Sequence, residues 1–478
     1  MQVLSIFTPS RKRKRFPKKR IRKLFIVKLR KRSRRRAKPR NMRLLNKKRP
    51  FKKRQLNQKK KKNTLQKFNH VQPFQTAVPI EAELHEHRSH APLEQYPELP
   101  SHPLEPGVSL IGYTRTEIGL GEASRLLAKS FEAVQLPFGI LSYSDPGTLS
   151  ARNNDMSWVH KEMKNAPYNV NLFHLNAPNL RWAYDLHALP LGRGLLHYRY
   201  NIGYWAWELP DFPDEWCNSF ELVHEVWAPS TFIVESIQKK STVPIVRIPH
   251  AIEVRGQQRN RSIFGLPENQ FLFLTMYDTH SLKDRKNPQG SIEAFKRAFP
   301  SNNASVGLVI KVNNPHTNPA EMANLKDLIQ GYTNIYLIQE ILDRDKVDIL
   351  LNSTDCFMSL HRSEGFGLVL AEAMYLGKPV IGTNWSGNTD FMKADNSCLV
   401  NYSLAQLGRD IGPYKAFQIW AEPDLDHAAH LMRKVVNDTQ YRHSIALRGK
   451  MTIRDGYSPA VIGKMIKNRL IDIGIRLT

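Results

Sequence analysis

No aspartate or glutamate occurs in the first 70 residues of this 478-residue chain, where 31 lysines and arginines stand. Of the 71 basic residues, 40 remain for positions 71–478, against all 43 acids. The formal charge of +28 therefore belongs to one end, and the rest of the chain is close to neutral. A stretch so charged and so poor in apolar residues cannot bury a core, so residues 1–70 are expected to be a disordered basic tail. Three readings of that tail stay open. It is a solvated, self-repelling arm, or an anchor to an anionic membrane surface, where each Lys or Arg adds roughly 1 kcal/mol, or a nucleic-acid contact. Aromatic residues are sparse there (Phe7, Phe16, Phe25, Phe51, Phe68), which removes a stacking platform for single strands.

Cysteine is scarce as well. Cys217, Cys356 and Cys398 have no paired spacing, which argues against a disulfide framework or a zinc site. No run reaches 18 apolar residues, and the apolar-leaning opening MQVLSIFTPS is followed by charges where a secretory signal would have them first. The expectation is a protein kept on the cytosolic side, with peripheral binding to the cytosolic membrane face left open. Residues 71–106 hold seven prolines and six glutamates without periodicity, a linker. His85, His87 and His90 within it are either a metal-binding group or polar filler.

What is present begins at Val108. A chain this long exceeds one core. Short apolar runs alternate with helical periodicity: VSLIGY (108–113), FGILSY (138–143), VNLFHLN (170–176), NIGYWAW (201–207) and EVWAPS (225–230). A second series follows, with FLFLTMYD (271–278), SVGLVIKV (305–312), IYLIQ (335–339), DCFMSL (355–360) and PVIGT (379–383). Strand–helix alternation predicts two parallel α/β domains. Their expected spans are 107–255 and 256–455, with a last helix in 456–478 packing back toward the first domain. Ligands of such folds gather beyond the carboxyl ends of the strands.

The most specific stretch is HRSEGFGLVLAEAMYLGKPVIGT. It predicts a loop leaving a buried strand, then a helix over LVLAEAMYLG that stops at Gly377 and Pro379. Gly365 and Gly367 let backbone amides approach a bound group, and the helix N-terminus favours an anion. Glu364 and Glu372 lie eight positions apart, about 12 Å along a helix. Glycosidase carboxylates stand ~5–9.5 Å apart, so these two acids suit different parts of one long ligand. A capping acid and a surface acid remain the bland alternative.

This segment resembles the E-x7-E signature of the retaining nucleotide-sugar glycosyltransferases of family 4, whose GT-B fold faces two Rossmann-like domains across a cleft. The resemblance runs over roughly 107–470 and includes GYTRTEIGLGEASR, IGYWAWELPDFPDEW, EVWAPSTFI, YDTHSLKDRKNP, SGNTDFM and WAEPDLDHAAHLM. It implies that Glu364 and the amides of Gly365, Phe366 and Gly367, with Leu368 beyond them, meet the donor sugar. Glu372 would hold the ribose hydroxyls, and the base would meet backbone near Gln339–Ile341. An Arg and a Lys five residues apart usually serve the diphosphate. Here Lys286 takes the lysine place, Ser281 stands where the arginine would be, and Arg285 compensates. On the acceptor side the resemblance points to Gly119, Gly121, Asn176 and His174; Glu208, Trp205 and Trp207 are candidates because a carboxylate and aromatic faces suit polyhydroxylated rings, with core packing the equal alternative for the tryptophans. The resemblance further implies transfer of a hexose from a nucleoside-diphosphate sugar to a glycan or lipid-linked acceptor, in envelope or exopolysaccharide synthesis. No metal or other cofactor is expected. An inactive GT-B scaffold, or nucleic-acid binding through the tail, are the alternatives.

Overall fold

The computed structural model describes residues 103–144, 152–255 and 258–477. The expectations for the basic tail, and for the linker up to residue 102, lie outside the described residues.

The apolar runs become strands of two parallel six-stranded sheets. The first holds β1 (Glu105–Gly112), β2 (Phe138–Ser142), β3 (Tyr168–His174), β4 (Tyr200–Tyr204), β5 (Glu225–Ala228) and β6 (Ile245–Arg247), in the order β2-β1-β3-β4-β5-β6. The second holds β7 (Phe271–Asp278), β8 (Val306–Asn313), β9 (Ile335–Ile338), β10 (Cys356–Ser359), β11 (Val380–Thr383) and β12 (Cys398–Val400), in the order β12-β11-β10-β7-β8-β9. Continuous burial along β8 fits a strand covered on both faces, as parallel sheets require. This is the fold class expected from the alternation.

Helices connect and cover the strands: α1 (Gly119–Ala133), α2 (Ala177–Asp185), α3 (Thr231–Gln238), α4 (Lys283–Lys286), α5 (Pro288–Ala298), α6 (Pro319–Ile329), α7 (Arg344–Ser353), α8 (Leu368–Tyr375), α9 (Leu425–Asn437), α10 (Thr439–Gly456) and α11 (Pro459–Asp472). None among the described residues is long and apolar enough to cross a membrane. Asn287 shows how local chemistry sets a boundary. It adopts left-handed backbone, ends α4, and its side chain caps α5 by accepting from the Gly290 amide.

Four strands have no counterpart among the expected ones. β6 and β12 have three residues each, too few to display a period. The hairpin β13 (Tyr402–Gln406) and β14 (Ile419–Pro423) is antiparallel and separate from both sheets. β1 also begins inside the stretch read as linker, because the Glu105 amide donates to Pro167 O and residue 105 pairs with Tyr168. At the far end, α11 lies on α1. Ile462, Ile466 and Leu470 share a core with Leu126, Leu127 and Phe131, each burial contributing roughly 1.5–3 kcal/mol. Arg469 pairs at 2.5 Å with Glu225, which is fully buried on β5.

Each sheet has a point where the strand order reverses, between β1 and β3 and between β7 and β10. Crevices form at such points, beyond the carboxyl ends of the strands. The loops leaving those four strands, with the helix starts that follow them, carry Gly119, Gly121, Asn176, Ser281, Arg285, Lys286 and Glu364.

Candidate active site

Glu364 follows β10, and Arg285 and Lys286 lie on α4, just after β7. The switch point brings the three together. Lys286 Nζ lies 2.5 Å from Glu364 Oε1, and Arg285 Nη1 lies 3.4 Å from Oε2. Burial alone would raise the Glu364 carboxyl, but Lys286 and Arg285 pull it down to about 2. Burial lowers the Lys286 ammonium, with Arg285 adding to this and Glu364 opposing it. Arg285 stays charged despite its burial, and it also donates to Ser363 O at 3.0 Å. The Glu364 amide donates to Ser386 Oγ at 2.8 Å, which fixes the start of the loop.

Gly367 has φ +92°, a conformation that suits glycine, and it occupies the N-cap of α8 without a side-chain cap. The first amides of α8 are therefore open to an anionic ligand. Phe366 is 4 % exposed and packs against His250, Phe391 and Tyr457, so its ring belongs to the core. Leu368 sits between the apolar clusters of the two halves.

Glu372 is buried on α8 and pairs at 2.8 Å with Arg344 of α7. The same guanidinium lies 2.6 Å from Asp348 and 3.9 Å from Glu122 of α1, across the cleft. Burial, reinforced by Glu122 and Asp348 and opposed by Arg344, raises the Glu372 carboxyl to about 7. Nothing in the sequence signalled this partner, 28 positions upstream. Ser281 lies in the turn after β7, its amide donating to Asp278 O at 2.9 Å. Among the described residues it makes no hydrogen bond or ion pair with Glu364. Gln339, Glu340 and Ile341 are exposed beyond β9.

The first half contributes a more mixed set. Gly119 opens α1 and is exposed, with free space where a Cβ would stand. At Gly121 a Cβ would meet Thr116 O at 1.9 Å, so this glycine is required by the tight turn itself. Asn176 precedes α2 and accepts from the Ala206 amide at 2.9 Å. His174 is 1 % exposed, stacks on Tyr204 and contacts Ser124 Oγ at 2.9 Å, and burial lowers it to about 4. It is a core histidine. Trp205 and Trp207 are buried to within 1 %, packed with Phe212, Phe220 and Trp216, which leaves no ring face for a sugar. Glu208 differs: its side chain is 26 % exposed, and Oε1 lies 3.7 Å from Arg285 Nη2.

Side-chain hydrogen bonds and an ion pair join the two halves around the 363–367 loop. Ser363 Oγ donates to Glu208 O, and Ser230 Oγ donates to Gly365 O at 2.6 Å. Asp390 accepts from the Thr231 amide at 2.9 Å and pairs with Arg247 at 3.1 Å. Two Asp-x-Asp spacings occur in the chain, Asp343/Asp345 and Asp424/Asp426. Asp343 and Asp424 are helix N-caps, occupied by the amides of α7 and α9. Among the described residues no group of three or more His, Cys, Asp or Glu could hold a metal ion.

Two cations thus gather around one deprotonated carboxylate just before a helix N-terminus, and a second buried carboxylate lies farther along that helix. Comparison with known proteins bears on this arrangement. Residues 256–411 match the family described as Glycosyl transferases group 1. No curated protein is similar in sequence. Among solved structures, HepE of Anabaena, crystallised with UDP and glucose, is 14 % identical, covers 77 % of this chain and 100 % of its own, and has a TM-score of 0.52. Sucrose-phosphate synthase from Thermosynechococcus elongatus is 11 % identical, with coverage of 77 % and 99 % and a TM-score of 0.56. A glycosyltransferase from Rickettsia africae is 13 % identical, with coverage of 77 % and 98 % and a TM-score of 0.53. The chain has a GT-B fold like these structures, and its residues 256–411 match the Glycosyl transferases group 1 family.

Proposed function

We propose that the protein is a retaining glycosyltransferase that moves a hexose from a nucleoside-diphosphate sugar to a glycan or lipid-linked acceptor. The observation that supports this best is the buried Lys286–Glu364–Arg285 cluster beside the uncapped α8 terminus. Cleaving the bond to the diphosphate leaves negative charge on the leaving group and positive charge on the sugar. Lys286, Arg285 and the α8 amides stabilise the first, and they do so best in a cleft that excludes water. Glu364 accepts hydroxyl hydrogens of the sugar and fixes its face. Glu372 accepts from the ribose hydroxyls. The acceptor hydroxyl attacks from the side the diphosphate leaves, and a diphosphate oxygen takes its proton. No metal is required for these roles.

Residues 1–70 would hold the enzyme on an anionic membrane surface on the cytosolic side, where envelope or exopolysaccharide intermediates are assembled. Equal binding of acidic vesicles by full-length and tail-deleted protein would end that part of the proposal.

The donor is identified by a thermal-shift panel with UDP, GDP, ADP and their common sugars. UDP-glucose comes first, because HepE was crystallised with UDP and glucose. A ligand at a hundredfold excess over its Kd stabilises by about 2.7 kcal/mol. The expected result is a shift from one nucleotide series that is absent in Glu372→Ala. A shift of equal size in Glu372→Ala refutes the site assignment.

A further inference from the structure

The hairpin β13–β14 is inserted in the donor half, outside its sheet, yet its loop reaches the acceptor half. Residues 407–418 continue the ladder through Leu407 N to Gln418 O and Gly408 N to Ala416 O, both 2.9 Å. Ile411 and Tyr414 exchange backbone hydrogen bonds of 2.8 and 3.0 Å, so the Tyr414 backbone is held in a closed turn. From there the Tyr414 hydroxyl donates to Glu208 Oε2 at 2.9 Å, and its ring meets Trp207 edge-on at 5.3 Å. Gln418 Nε2 donates to Asp211 O at 2.7 Å, a second tie to the same segment.

The base of the hairpin is fastened to the catalytic loop. Arg362, two residues before Glu364, pairs with Glu422 at 2.5 Å, and its carbonyl accepts from the Ala421 amide at 3.0 Å. Its own amide donates to Arg285 O at 2.7 Å. The hairpin thus joins three things: the Glu364 loop, the backbone of Arg285, and Glu208 on the facing half.

Arg285 is shared by two carboxylates, but not equally. The 3.7 Å separation between Arg285 and Glu208 is a Coulomb contact and not a hydrogen bond. Among the described residues, the Tyr414 phenol supplies the one hydrogen bond that the Glu208 carboxylate receives. Without it, a side chain that is a quarter exposed has no geometric restraint at its tip. We propose that Tyr414 is a positioning residue for the transfer step. It holds Glu208 opposite Glu364, with the Arg285 guanidinium between them, and so sets the acceptor-side wall of the site when the two halves are closed. This rests on the transferase reading above, and it assigns a role to a residue outside the 256–411 segment.

The test compares Tyr414→Phe, Glu208→Gln and the double variant, in the full chain, with UDP-glucose or whichever panel donor the wild type turns over. Phenylalanine keeps the ring against Trp207 and removes only the hydroxyl, so melting temperature should move by less than about 2 °C. Loss of a hydrogen bond to a charged group predicts a fall in kcat of about tenfold or more. Donor KM stays within about twofold, since the proposal gives donor binding to Glu372 and the α8 amides and gives these two residues only the acceptor-side wall. In the double variant Tyr414→Phe adds no further loss, because its action runs through Glu208. A Tyr414→Phe enzyme within twofold of wild-type kcat overturns the proposal, as do losses that multiply in the double variant. If the wild type turns over no donor at all, the transferase reading fails, and hydrogen exchange decides this contact separately. Faster exchange in residues 205–212 of both single variants supports it, and unchanged exchange in Tyr414→Phe overturns it.

Discussion

Lowering the pH from 8 to 6 should weaken donor binding about tenfold through Glu372 alone. The carboxyl is fully buried, with Glu122 and Asp348 nearby and one guanidinium in contact, and it titrates at about 7. The ionised form accepts from both ribose hydroxyls through charge-assisted hydrogen bonds, whereas the protonated form places a donor on one of its oxygens. If the donor binds the ionised form, the apparent Kd scales with the inverse of the ionised fraction. That fraction is roughly one tenth at pH 6 and roughly nine tenths at pH 8. The stability of the unliganded protein runs the opposite way. A carboxyl raised from 4.5 to about 7 contributes stability below pH 4.5, which is lost as the pH climbs through 7, on the order of 3 kcal/mol in total. The donor-induced rise in melting temperature should therefore be larger at pH 8 than at pH 6. Titration calorimetry with a nucleotide sugar, which has no phosphate ionising in this range, measures the first effect. A Kd constant within twofold from pH 5.5 to 8.5, or the same slope in Glu372→Gln, would refute the reasoning.

Three other outcomes are expected. Lys286→Met leaves Glu364 buried with Arg285 at 3.4 Å as its closest cation and should reduce turnover at least a hundredfold, read as kcat under saturating donor. Glu364, held at about 2, contributes stability above pH 4.5 that is lost as the pH falls toward 2. Acid unfolding of Glu364→Gln should accordingly be less steep over that window than in the wild type. Arg261 is fully buried and donates to the carbonyls of Ser353, Pro267, Glu268 and Gln270 while pairing with Asp355 at 2.5 Å. Arg261→Ala removes the shared donor of four carbonyls and leaves Asp355 with only Arg259 and the Leu272 amide, and should cost about 3 kcal/mol, measured by urea unfolding.

The strands were legible wherever burial extended over five or more residues, because a run such as GLVIKV has one physical use. The loop from Glu364 into α8 was legible too, since glycine at the left-handed position and an apolar helix behind it are local features. What escaped has long-range causes. The hairpin carries polar and exposed residues, and its strands are separated by twelve residues, so neither period nor turn chemistry marks it. Trp205 and Trp207 invite a sugar-stacking role, but aromatic residues serve cores and ligands alike, and only the packing around Phe212 decides. The Arg344–Glu372 pair depends on two helices folding against each other, and no spacing rule carries that information.

The placement of α11 has a consequence for how the chain is made. A ribosome delivers residues 103–255 first, but the outer face of α1 receives Ile462, Ile466 and Leu470 only after the whole donor half has emerged. Glu225 likewise waits, buried on its strand, for Arg469. The half synthesised first is therefore the one completed last. During that interval its apolar flank stays uncovered, and a stop before α11 would injure the half farthest from it in sequence.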